Sequence, residues 1–164
     1  KRKWKIRSRL CKLYRNKIIQ DHNIRFDKTI VYNEDRLFII QYILNITHSI
    51  SFNLVPIYEY HLRFESATAS ITKLLTEKHL TAFTASILSY QSIRQKYAKR
   101  HKTVVRLAKE EVVYSYRRLC KITKTSPNNL LLTRRLHEEM FSNISHIEYY
   151  IILTKLRLHN FWSF

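Results

Sequence analysis

Residues 94–124 read RQKYAKRHKTVVRLAKEEVVYSYRRLCKITK, and this stretch decides the fold class. Val104, Val105, Ala108, Val112, Tyr116, Leu119 and Cys120 recur at steps of three and four, the spacing of one buried helical face. Around that stripe lie Arg94, Lys96, Lys99, Arg100, Lys102, Arg106, Lys109, Arg117, Arg118, Lys121 and Lys124, against only Glu110 and Glu111. A helix face turned to water normally mixes signs, because opposite charges four residues apart support each other. The pattern therefore predicts a basic helix over 94–124. Run unbroken, it would set its cations along roughly 45 Å at ~1.5 Å per residue, a ruler for a phosphate backbone.

Helical periodicity continues on both sides. Ser126-Pro127 marks a start, since serine caps and proline suits a first helical position. A C-terminal helix is expected over 127–160 through Leu131, Leu132, Leu136, Met140, Ile144, Ile147, Ile151 and Leu158, with a joint near Ser142-Asn143. Upstream, residues 57–100 lack proline and carry Leu62, Ile71, Leu74, Leu75, Leu80, Phe83, Ile87, Leu88, Ile93 and Tyr97 as a stripe, with one interruption expected. Their many Ser, Thr and Ala residues permit close helix approach but weaken helix propensity. Asn33 is placed to cap a helix opening on Glu34 and Asp35. Thr29-Ile30-Val31-Tyr32 reads as a short strand or a loop crossing the core.

From Leu37 to Tyr58 the chain runs 22 residues without Lys, Arg, Asp or Glu, long enough to span hydrocarbon. Gln41, Asn45, His48 and Asn53 interrupt it, and such groups are costly at bilayer depth unless partnered. A buried core helix over Leu37 to about Ile50, broken near Ser51-Phe52-Asn53, is the favoured reading, with bilayer contact over 37–58 as its rival.

The first residues form a basic amphipathic arm, 1–20, ahead of a helical domain, 21–164. Lys1, Arg2, Lys3, Lys5, Arg7, Arg9, Lys12, Arg15 and Lys17 precede the first acid, Asp21, and Ile6, Leu10, Leu13 and Ile18 recur at helical spacing. Trp4 and Tyr14 stand ready to stack on a base or sugar. No apolar run follows Lys1–Lys5, so a secretory leader is not expected here, and the sequons at Asn45 and Asn143 read as chance.

The chain as a whole has 164 residues, a net charge of +18 and no glycine, where average usage would place about eleven. Glycine serves backbones that must enter positive φ or approach a ligand closely. Its absence excludes a Walker phosphate loop, a dinucleotide fingerprint and a KH-type loop. What remains is an all-α, single bundle-like domain of about five helices. Isoleucine, tyrosine, lysine and asparagine abound, as an AT-rich gene would encode.

Site chemistry is sparse. The eight histidines form no HExxH or HxH pattern, and His137-Glu138-Glu139 reads as a surface charge cluster. Cys11 and Cys120 stand 109 positions apart and suit two buried thiols, not a disulfide scaffold or zinc site. No catalytic residues, metal or cofactor are expected. The charge points to a polyanion, and the expected contacts are Lys1, Arg2, Lys3, Trp4, Lys5, Arg7, Arg9, Lys12, Arg15, Lys17, Arg94, Lys96, Lys99, Arg100, Lys102, Arg106, Lys109, Arg117, Arg118 and Lys121. Phe161, Trp162 and Phe164 are too aromatic for a solvated tail and suit a neighbouring subunit. The leading expectation is a non-enzymatic nucleic-acid-binding subunit of an organellar, mitochondrion-like ribonucleoprotein, holding ribosomal RNA. Its rivals are a viral nucleocapsid or filament coat on a packaged genome, and a subunit of an organellar inner-membrane complex.

Overall fold

The computed structural model describes residues 13–51, 76–123 and 130–161, and within these the chain is all-α. The order is α1 (Asn16–Asp21), α2 (Glu34–Leu44), α3 (Glu77–Tyr97), α4 (Lys102–Thr123), α5 (Leu130–Asn143) and α6 (His146–Phe161). The arm residues 1–12, the aromatic end 162–164 and the Ser126-Pro127 signal lie outside the described residues, as does 52–58 of the uncharged stretch. No helix among the described residues is long and apolar enough to cross a membrane.

With no glycine available, asparagine supplies the left-handed backbone positions. Asn23 has φ 45° just after α1. There its N–H donates to the Gln20 carbonyl at 3.1 Å, and the Ile24 N–H donates to the Ile19 carbonyl at 2.9 Å. This is a Schellman ending, in which an asparagine tolerates the conformation glycine usually takes. Ile24 is thereby turned into a small cluster with Ile18, Ile19, Phe38 and Tyr42. Asn33, φ 66°, precedes α2 but makes no side-chain cap; its amide instead donates to the Ala82 carbonyl on α3 at 3.4 Å. Glu34 and Asp35 do occupy the first turn of α2, on the favourable side of its dipole.

The segment between α1 and α2 is a loop through the core, not a strand. Asp27 Oδ1 accepts from the Thr29 N–H at 2.8 Å and from its hydroxyl at 2.6 Å, a side-chain turn that throws Ile30 inward. Ile30 packs with Leu37 and Ala85. Val31 ties the loop to α3 by donating its N–H to Thr81 Oγ1 at 3.2 Å. The core helix expected to reach Ile50 stops at Leu44. Asn45 there donates its side-chain amide to the Gln41 carbonyl at 2.9 Å and its N–H to Tyr42 at 3.0 Å, closing the end.

The basic block 94–124 is not one rod. Tyr97 ends α3, the chain turns through Ala98–His101, and α4 returns antiparallel. Three cross-helix pairs record the register: Tyr90 with Lys109, whose Nζ lies 5.9 Å from the ring; Phe83 with Tyr116, rings 6.2 Å apart; and His79 with Arg118. Folding back lets both apolar stripes bury each other, which a single straight helix could not do. Leu80, Phe83, Ile87, Tyr90, Val112, Val113, Tyr116, Leu119, Leu136, Met140, Ile144 and Ile152 form the main core, drawn from α3, α4, α5, α6 and the α5–α6 joint. The small face of α3 lets α2 approach at Ala85, while Ser86 and Ser89 satisfy their hydroxyls on carbonyls four residues back.

The C-terminal stretch is two helices, jointed at Ile144-Ser145. Ser145 Oγ accepts from the Glu148 N–H at 3.3 Å, and Glu148 Oε2 accepts from the Ser145 N–H at 3.2 Å. This is a capping box that opens α6. Replacing Ser145 with alanine is expected to lower the unfolding free energy by about 1 kcal/mol, read by urea denaturation at unchanged m-value.

Candidate nucleic-acid interface

The α3–α4 turn gathers cations that are separated in the chain. Arg94 and Lys96 occupy the last turn of α3, Lys99 and Arg100 the turn itself, and Lys102 and Arg106 the start of α4. Arg94 and Lys96 complement the negative end of α3's dipole. Lys102 sits at the positive end of α4, whose first turn holds no acid, and there a cation is locally unfavourable. Backbone geometry holds the turn: His101 donates its N–H to the Tyr97 carbonyl at 2.9 Å and accepts from the N–H groups of Val104 and Val105. Its ring also meets Tyr97 edge-on at 5.2 Å between centroids.

Between this tip and α6 runs a groove of about 360 Å³. Arg94, Lys102, Arg106, Lys109 and Lys155 line it, over an apolar floor that includes Tyr90, Val105 and Ile152. One carboxylate, Glu148, enters it, and its Oε1 pairs with Lys109 Nζ. The bond to the Lys109 ammonium, against burial as the second influence and with help from the Ser145 N–H and hydroxyl, holds Glu148 below the usual carboxylate range. Glu148 thus opens α6 with one oxygen and fixes Lys109 with the other.

The remaining acids of the basic block are also engaged. Glu110 pairs with Arg106 at 2.5 Å and Glu111 with Arg36 of α2 at 3.0 Å. Among the described residues, no ion pair involves Arg94, Lys96, Lys99, Arg100, Lys102, Arg117, Arg118, Lys121 or Lys155.

The expected contacts therefore divide. Arg94, Lys102, Arg106 and Lys109 converge on the groove, with Lys96, Lys99 and Arg100 on the same turn. Arg117, Arg118 and Lys121 sit at the far end of α4, roughly 22–28 Å along the axis from Lys102 at ~1.5 Å per residue, with Arg118 near His79. Burial first, and then Arg118, pushes the His79 imidazole below its usual range, so it packs as a neutral ring. Arg15 and Lys17 are exposed, but their surroundings are the α1–α2 cluster, where the Arg15 N–H donates to the Tyr42 hydroxyl at 2.7 Å. Lys1, Arg2, Lys3, Trp4, Lys5, Arg7, Arg9 and Lys12 lie outside the described residues.

Several aromatics that neighbour cations in the sequence are spent on the core. Tyr14 packs edge-on against Phe38 and Tyr42, at 5.5 and 4.9 Å between centroids. Tyr90 is 3% exposed, and Tyr116 is buried with its hydroxyl bonded to His137 Nδ1. His137 turns to Tyr116, while Glu138 pairs with Arg134 at 2.7 Å and Glu139 is half-buried, where burial raises its pKa. Cys120 is a half-buried thiol at the edge of the main core.

Sequence reasoning missed Lys155 and the wall of α6 beside it. Neither lies in a basic run, so only the packing of α6 on α4 reveals them. A second groove, about 430 Å³, lies between α3 and α5. Glu77, Glu138 and Glu139 line it with Arg135, which pairs with Glu77, so its charge repels a polyanion. Comparison with protein-family models, curated proteins and solved structures returns no match to this chain.

Proposed function

We propose that this protein is a non-enzymatic structural component that holds the phosphate backbone of a nucleic acid at the α3–α4 tip, inside a larger ribonucleoprotein. One observation carries the reading: five cations from three helices surround a groove whose single carboxylate is already engaged by Lys109 and by the cap of α6. Lysine and arginine on phosphate give affinity without base readout, which suits a scaffold. The net charge of +18 also opposes compaction, so counter-charge from phosphate lowers the free energy of the folded chain. The rest of a large assembly would cover the exposed apolar residues of α6 outside the groove lining, Ile147 and Tyr150.

A salt titration of RNA binding, followed by fluorescence anisotropy, tests this. The expected affinity falls by about tenfold or more between roughly 50 and 200 mM salt, with a linear log–log slope that counts the phosphates engaged. A flat response removes phosphate contact from the protein's function.

A further inference from the structure

We propose that the outward face of α4 is a second nucleic-acid contact, at which a base of a single strand stacks on Tyr114 while Arg117, Arg118 and Lys121 hold the flanking phosphates. The inference rests on the phosphate reading above and adds a site away from the groove, with the kind of strand it takes. Its basis is a juxtaposition on one helix. Arg117, Arg118 and Lys121 stand three, four and seven residues after Tyr114, so all four lie on one side of α4 within two turns. That side is turned away from Val112, Tyr116 and Leu119, which α4 buries in the core. Tyr114 is 55% exposed, Arg118 and Lys121 are exposed beside it, and Arg117 is half-buried.

The charge around this ring is uncommitted. Among the described residues, none of Arg117, Arg118 and Lys121 is in an ion pair. Glu110 and Glu111, one turn before Tyr114, are the acids nearest to it on α4, and they are held by Arg106 and Arg36. Tyr150 is exposed too, but no Lys or Arg stands three or four residues from it on either side. An aromatic ring beside a cationic track is the general means by which single strands are held without sequence readout. A duplex keeps its bases paired and stacked inward and presents mainly phosphate and sugar, so it would reach the cations and leave the ring unused. Packing of the opposite side of α4 on the core fixes the helix, so ring and cations are in register before a strand arrives. That confines the ordering cost of binding to side chains.

The test compares three fluorescent or competing probes on the whole protein at matched salt: a short poly(U) strand, a blunt RNA duplex of equal length, and inorganic polyphosphate. Tyr114→Ala should weaken poly(U) binding by about fivefold or more, the scale of one lost stack, while duplex and polyphosphate affinities stay at the parent's values. Tyr114→Phe keeps the ring and should bind poly(U) like the parent. Replacing Arg117, Arg118 and Lys121 together by glutamine should reduce the salt slope for poly(U) by about two. An Ala variant that binds poly(U) like the parent overturns the inference, as does one that loses all three probes equally. An unchanged slope in the glutamine variant overturns it as well. In each of these cases salt-dependent binding by the parent leaves the phosphate reading at the groove standing. Failure of every probe to bind the parent overturns that reading itself.

Discussion

Replacing Arg94, Lys102 and Lys155 together by glutamine is expected to reduce the slope of log affinity against log salt by about two for a single strand. Each is at the groove, and none is in an ion pair among the described residues. Removing them therefore leaves no buried carboxylate orphaned, and fold stability should shift by no more than about 0.5 kcal/mol. The sign of that small shift follows from placement. Lys102 lies at the positive end of α4, where losing a cation is locally favourable, while Arg94 lies at the negative end of α3, where it is not. Arg106 and Lys109 serve as a contrast. Their partners Glu110 and Glu148 would be left without a cation, so their substitution mixes a binding loss with a folding loss. The control is Arg134→Gln on α5, which removes one exposed cation paired with Glu138 far from the groove lining. A slope change one third as large in that variant would show that net charge alone, and not the groove, governs binding.

The helical class was legible because two independent signals agreed. Periodicity in residues 94–124 gave one buried face, and the lack of glycine removed most turns that a sheet protein needs. What stayed hidden was the reversal at Ala98–His101. No glycine, proline or asparagine marks it, and Ala98 itself keeps helical dihedrals, φ −53° and ψ −39°. The turn is imposed by the gain from burying α3 against α4, a long-range effect that local propensity does not encode. The α5–α6 joint was different, since its signal was present. Ser145-His146-Ile147-Glu148 is a serine with a glutamate three residues on, yet the polar pair Ser142-Asn143 drew the boundary two residues early.

The candidate site was half legible for the same reason. Charge runs named Arg94, Lys102, Arg106 and Lys109, but a run cannot say which of its members face one another. Folding back separated Arg117, Arg118 and Lys121 from the groove and brought in Lys155, some fifty positions from the tip in sequence. Aromatics near the cations in sequence are divided between core and surface. Tyr14 and Tyr90 neighbour cations in sequence but are committed to Phe38, Tyr42 and the main core, whereas Tyr114 within the basic block and Tyr150 on α6 are exposed.

Phe83→Ala is expected to cost about 3–5 kcal/mol of stability, the largest single-residue effect predicted for this molecule. Phe83 is 1% exposed and belongs to the core where α3, α4, α5 and α6 meet, with its ring beside Tyr116. The loss adds a transfer contribution for the removed ring to the cavity left behind, because neighbours such as Met140 and Leu136 relax only partly. In a domain of this size that corresponds to a drop in Tm on the order of 10 °C, measured by circular dichroism. Tyr114→Ala, at a residue 55% exposed on α4, should shift stability by about 0.5 kcal/mol or less. The two variants also separate folding from binding. Phe83 does not line the groove, yet its packing on Tyr116 helps set the register of α3 against α4, which brings Arg94 and Lys102 to the same groove. RNA affinity of Phe83→Ala should therefore fall only in proportion to the unfolded fraction and recover on cooling toward the temperature of maximum stability. A parent-like Tm would mean that α3 and α4 do not pack through this ring, and the groove between the tip and α6 would lose its structural basis.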